Sequence, residues 1–237
     1  MNGIVESLRL GGRALLLQED AYEEMRLADN PVVKGLVLIV VVGVVVALLS
    51  FIGDVLAWAS TPDLNTIKEI VYSHMTQMPW WKFASQDPQF VQIFNRIWEL
   101  NWSLIGLFMP DPGSALANII LLPLGLVVRW LLYGLVAYLF ARWLGGTATL
   151  SETLGVLALA VAPQVLNVLN VLPQMHLGGV VAIWGILCAY TGLKTAHKLP
   201  WDRAAWATVL PFILALAVSL LSACWATGIL AAMVKGG

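Results

Sequence analysis

Between Glu152 and Lys194 lie forty-one consecutive residues without a formal charge. A helix crossing the hydrocarbon layer of roughly 30 Å needs about 20 residues, so this run is long enough for two crossings. Pro173, with Gly178 and Gly179 beyond it, supplies the break between them. Three more stretches are nearly as bare. Nineteen uncharged residues separate Lys34 from Asp54, thirty separate Asp111 from Arg142 with only Arg129 between, and thirty-one separate Arg203 from Lys235. The pattern predicts five transmembrane helices at about 35–58, 115–143, 152–172, 177–193 and 204–232. Composition agrees: 59% of residues are hydrophobic and 11% charged, against roughly 25% charged in a soluble chain. A soluble domain is excluded, and the fold class expected is an all-α integral membrane protein. The net charge of −1 without a basic run leaves no electrostatic footprint for nucleic acid.

Lys and Arg placement orients the spans. With the N-terminus cytoplasmic, inner segments carry Arg9, Arg13, Arg26, Lys34, Arg142, Lys194, Lys198 and Arg203, and outer segments carry Lys68, Lys82, Arg96 and Lys235. Eight against four predicts an extracytoplasmic C-terminus. The first span follows the acidic run Glu19, Asp20, Glu23 and Glu24 and lacks a short basic leader, so it is expected to stay as an anchor. The domains expected are a cytoplasmic segment 1–33, the first span 34–58, an extracytoplasmic insertion 59–113 and a four-helix part 114–237.

Residues 1–33 alternate apolar clusters with acidic ones around Gly11 and Gly12. They predict two amphipathic helices broken at the glycines and lying on the membrane face, the acidic side solvated. In the insertion, Thr61-Pro62 opens a helix striped by Ile67, Ile70, Val71, Met75 and Met78, and Asp87-Pro88 opens a second. Phe90, Phe94, Ile97, Trp98, Ile105 and Phe108 share one broad face of the second, with Trp80 and Trp81 between the two. The insertion is too apolar for a free linker. Trp80, Trp81, Phe90, Phe94, Trp98 and Trp102 are its candidate interface to a partner or to lipid. Trp58, Trp143 and Trp201 fall near predicted membrane borders, where indoles concentrate.

No HExxH, GxSxG, GxxxxGK or GxGxxG occurs. His74 and His176 fall outside and His197 inside, so the histidines predict no shared metal site, and no cofactor is expected. Cys188 and Cys224 lie within spans, without the spacing of a metal site, and read as buried thiols.

Polar groups at membrane depth are costly and often functional. Arg129 is near the middle of the second span, Asp54 near the outer end of the first, and Gln164, Asn167, Asn170 and Gln174 recur along the third. These six form a candidate intramembrane cluster. It either lines a pocket for a lipid headgroup or small anion or holds helices together through hydrogen bonds, and the structural role is preferred because no internal repeat accompanies it. On the last span Ala215, Ser219, Ala223 and Thr227 recur at every fourth position, a helix-packing face for this bundle or a partner. Pro123, Pro163 and Pro211 predict kinks.

From residue 140 onward the chain resembles the Yip1 family of membrane proteins. The resemblance rests on the run from Ala141 through Arg142, Trp143, Gly145, Gly146, Thr149 and Glu152 to Leu154, then Ala162-Pro163. It continues with Ala182-Ile183-Trp184 leading to Tyr190-Thr191-Gly192-Leu193-Lys194, with Ala196-His197, and with Trp201-Asp202-Arg203. Here Gly145 and Gly146 would turn the chain, Ser151 or Glu152 would cap the third span, and Lys194, His197 and Lys198 would end the fourth. The resemblance implies five spans with a cytoplasmic N-terminus and brings no catalytic residues. Eukaryotic members act in vesicle traffic with small GTPases of the Rab type. The short N-terminal segment and apolar outer insertion here look more like bacterial members.

The expectation is a non-enzymatic scaffold or accessory subunit contacting the lipid bilayer and other membrane proteins. Its complex could be a respiratory or photosynthetic one, although no residue names it. A small transporter or permease using Arg129 and Asn167 is the alternative.

Overall fold

A computed structural model describes residues 2–60, 62–106, 112–171 and 177–235; the side chains of Asn170 and of residues 226–235 lie outside that description. Among the described residues five helices are long and apolar enough to cross a membrane, and no strand occurs. The chain is an integral membrane protein. Its helices are α1 (Asn2–Leu15), α2 (Glu19–Arg26), α3 (Pro31–Ser60), α4 (Leu64–Gln77), α5 (Pro79–Ala84), α6 (Pro88–Gly106), α7 (Pro112–Trp143), α8 (Leu150–Ala158), α9 (Gly178–His197) and α10 (Trp201–Lys235). Between α8 and α9 the chain runs as a 3-10 helix, Leu159–Val171.

The five spans are α3, α7, α8 with its 3-10 continuation, α9 and α10. Helix α3 is the hub, packed on α7, α8 and the 3-10 segment. Its first turns cross α8 where two glycines meet larger neighbours. A Cβ on Gly35 would stand 2.5 Å from Ala158, and one on Gly155 would stand 2.4 Å from Pro31. Such contact lets the backbones approach closely and gain dispersion energy in lipid, where the hydrophobic effect gives helices no reason to associate.

The third span corrects the expectation of a kinked α-helix over 152–172. Nine residues of α-helix give way to thirteen wound as 3-10. Pro163 lies inside the tighter stretch. It has no N–H to donate to Leu159, and its ring would clash with that carbonyl in an α-helix. The predicted break at Pro173 lies outside the described residues, as do His176 and Phe108.

Residues 1–33 also depart from expectation. Helix α1 runs unbroken through Gly11 and Gly12, because Gly11 gives room to the span below it: a Cβ there would stand 3.0 Å from Leu38. The break comes at Leu16–Gln18, with Leu17 in the left-handed region at φ 56°. The α1–α2 hairpin does not merely lie on a surface; Leu10, Ala14, Ala21, Tyr22 and Met25 are fully buried against α3, α8, α9 and the 3-10 segment. The last carbonyls of α1, which no helical N–H can reach, accept bonds from other elements. Tyr22 Oη donates to Ala14 O (3.1 Å) and Trp184 Nε1 to Leu15 O (2.7 Å). The acidic side is paired rather than simply solvated: Arg9 and Arg13 hold Glu24, Arg13 holds Asp20, Arg26 holds Glu23 and Glu152, and Lys194 holds Glu19.

The insertion folds as α4, a single turn and a half of α5, and α6. Asp63, rather than Thr61-Pro62, caps α4, accepting from the backbone N–H of Asn65 and Thr66. Asp87 starts α6, accepting from Gln89 N at 2.8 Å.

Candidate functional site

Arg129 sits fourteen residues from either end of the span Ala115–Trp143, about 21 Å along the axis and so near mid-membrane. Among the described residues no carboxylate pairs with it. It lines a cavity of about 630 Å³, counted out to its mouth, together with Trp130, Tyr133, Gln164, Ala182 and Phe212 among mostly apolar neighbours. Walls come from α3, α7, α8, the 3-10 segment, α9 and α10. The aromatic groups spend their polar atoms on backbone: Trp130 Nε1 donates to Leu154 O (2.9 Å) and Tyr133 Oη to Thr208 O (3.1 Å). The Tyr133 and Phe212 rings lie 5.2 Å apart.

The structure sorts the six intramembrane candidates. Gln164 joins Arg129 in the cavity, and Asn167 Nδ2 donates to Gln164 Oε1 at 2.7 Å. The 3-10 winding makes this a row, since residues three apart eclipse one another at three residues per turn. Asp54 is not among the cavity residues. The side chain of Asn170, and Gln174 entirely, lie outside the described residues.

At the opposite level of the bundle, the motif residues of the C-terminal half converge on one joint. Gly145 turns the chain at φ 95°. Arg142 Nη1 donates to Gly146 O (3.2 Å) and Arg203 Nη1 to Leu144 O (3.1 Å). The N-cap of α8 is Thr149 rather than Ser151, and Glu152 completes the capping box. The Thr149 hydroxyl accepts from Glu152 N, while the Glu152 carboxylate accepts from Thr149 N at 2.6 Å. Thr153 Oγ1 donates to Thr149 O (2.7 Å), so the proton in its 2.9 Å contact with His197 comes from Nε2. His197 Nδ1 is then a bare acceptor, buried and without a protein partner, facing the space a Gly146 side chain would fill. This set binds helix ends together and holds no acid–base pair aimed at a cleft.

The aromatic candidates of the insertion contact one another while staying accessible: Trp80 is exposed and Trp81, Phe90, Phe94, Trp98 and Trp102 are half-buried. Trp81 meets Phe94 at 4.8 Å, Phe94 meets Trp98 at 5.8 Å, Trp98 meets Trp102 at 5.5 Å, and Trp80 and Phe90 join at Trp81. Tyr72 closes the seam from α4. Lys68–Glu99 (2.6 Å) and Tyr72–Asn95 (3.3 Å) fix which sides of the antiparallel α4 and α6 meet. Helical phase then puts the exposed Val71 on the same side of the hairpin as the exposed Ile97 and Leu104, with Glu69, Ser73 and Arg96 opposite. Val71 and Ile97 already stand in the apolar stripes of the sequence; that they share one side with Leu104 depends on how the two helices pair.

Ala215, Ser219 and Ala223 are exposed, so among the described residues the small-residue face is left uncovered by this chain's own bundle; the side chain of Thr227 lies outside the described residues. Cys188 is buried as expected, whereas Cys224 is exposed on the C-terminal half of α10. Trp58, Trp143 and Trp201 are all exposed at span ends, as a border position requires.

A family model described as the Yip1 domain matches residues 14–223, most of the chain. No curated protein and no solved structure matches it. The match begins well before residue 140, and it takes in the α1 end, α2, α3 and the insertion.

Proposed function

This chain belongs to the Yip1 family of membrane proteins, and within it we propose the role of a non-enzymatic scaffold or accessory subunit of a larger membrane complex. The observation that carries the reading is the uncovered apolar side of the α4–α6 hairpin. Its exposed Val71, Ile97 and Leu104 lie along two helices on one side, while the half-buried rings meet one another along the seam. Both ends of the hairpin run into spans, α3 and α7, so the surface it offers stays beside the membrane. The exposed small residues of α10 give a second helix-sized contact within the bilayer. We assign the N-terminus to the cytoplasmic side on the charge count, and the membrane to the bacterial inner one on the short N-terminal segment and apolar insertion, which look like those of bacterial members. Gentle solubilisation from native membranes is expected to yield a particle heavier than the 25.8 kDa chain with its detergent, and Ile97→Lys to reduce it to the single chain. A wild-type protein that runs as a monomer refutes the scaffold role.

A second reading, a small permease for a lipid or small anion, is favoured by the cavity that Arg129 and Gln164 share. Arg129→Leu should then abolish flux in vesicles while the bundle stays assembled; unchanged flux ends that reading.

A further inference from the structure

We propose that the Arg129 cavity is a binding site for an amphiphile with an acidic head, a carboxylate or phosphate carried on an apolar chain. This names a ligand class for the cavity of the permease reading, but it concerns retention alone and holds whether or not the molecule is moved.

The head group follows from which polar atoms remain. Trp130 and Tyr133 have donated to Leu154 O and Thr208 O, and Gln164 Oε1 has accepted from Asn167. Tyr133 Oη and Gln164 Oε1 keep lone pairs, but the one formal charge in the lining is the exposed Arg129 guanidinium, with the Gln164 amide N–H groups in the same lining, and among the described residues no Asp or Glu lines it. A site whose single charge is positive and near mid-membrane selects an acceptor that is itself negatively charged. Guanidinium forks match carboxylate and phosphate oxygens with two parallel bonds.

The tail follows from the remaining walls. Ile39, Leu126, Leu157, Val161, Ile186 and Phe212 are apolar, and the cavity is open at its mouth, so a chain anchored by its head at Arg129 can lie along these walls and run out into lipid. A free inorganic anion would leave those walls unfilled. An intramembrane arginine without a protein carboxylate is also a costly group in lipid, and a bound acidic head supplies the missing counter-charge.

The test uses the full chain in a neutral detergent, with bound lipid read by native mass spectrometry. The probes are oleate, dioleoyl phosphatidylglycerol and, as the zwitterionic reference, dioleoyl phosphatidylcholine. At least one acidic probe is expected to bind with a stoichiometry of one and about tenfold or more tighter than phosphatidylcholine. Arg129→Gln should remove that margin, and Ala182→Leu, which fills the lining without touching charge, should weaken the same binding. Oleate alone retained identifies a free fatty acid as the source; phosphatidylglycerol alone identifies a bilayer phospholipid. The proposal fails if neither acid binds above phosphatidylcholine, or if the margin survives both substitutions. Should Arg129→Gln not fold, judged by helical circular dichroism and a single elution peak, Ala182→Leu decides by itself. Loss of flux with binding intact, or binding without flux, separates this inference from the permease reading.

Discussion

Gly146 has no space for even a methyl group: a Cβ would stand 2.4 Å from His197 Nδ1 and 2.7 Å from Ala141 O. One neighbour is a buried ring and the other is backbone, so neither yields cheaply. Gly146→Ala is expected to destabilise the fold by about 1–3 kcal/mol through overpacking, read as a lower unfolding midpoint in detergent. Thr153→Val probes the other side of the same ring. It keeps the shape but leaves His197 Nε2–H buried without an acceptor, and a loss of about 1–3 kcal/mol is expected by the same measurement. At this scale the motif runs announce which residues matter but not how they act. The Gly-Gly turn, the Thr–Glu cap and His197 all stood in the motif runs, yet their convergence depends on three chain segments folding back on each other. Only Nδ1, an atom left without a partner, shows how tightly the joint is packed.

The α1–α2 hairpin is the element most changed from its reading in the sequence. Its apolar residues have helical spacing, which announces an amphipathic helix but not what covers it. Trp184, apolar in a span yet carrying an N–H that must be satisfied, was the available signal that something polar approaches there. Ion pairs fasten the hairpin, and they make it sensitive to acid. The Glu6 carboxyl is held below its ordinary 4.5, first by the hydrogen bond from Lys34, and that of Glu23 first by the bond from Arg26. A carboxylate with a folded value below its unfolded one stabilises the fold above the unfolded value and loses that contribution as pH falls through the folded one. Protection factors in α1 and α2, taken relative to the intrinsic exchange rate at each pH, are therefore expected to fall below about pH 4 while those of α9 hold. Equal protection at pH 7 and pH 3.5 would contradict this. The spans, by contrast, were read nearly to the residue, because charge marks where lipid ends. Their limits were drawn short for the same reason: helices run on through Lys34 and Lys194 after the hydrocarbon has stopped.

The molecule as a whole is a hub span with a buried N-terminal hairpin at one level, a polar cavity near the middle and an apolar-sided hairpin tethered between α3 and α7. Its proposed orientation is testable by fusion: a phosphatase active only outside the cytoplasm should work after Gly237 and fail after Lys198. The reverse pattern would invert the assignment. The cavity depends on how one stretch of backbone is wound. Each residue of a 3-10 helix turns by about 120°, against about 100° in an α-helix. Counted from Leu159, rewinding the segment as α-helix would swing Gln164 through about 100°, away from the Arg129 it now faces across the cavity. Asn167 would rotate further still. The meeting of Arg129 and Gln164 thus depends on pitch: at 3.6 residues per turn Gln164 and Asn167 would stay neighbours, about 60° apart, but the face they share would turn away from the cavity.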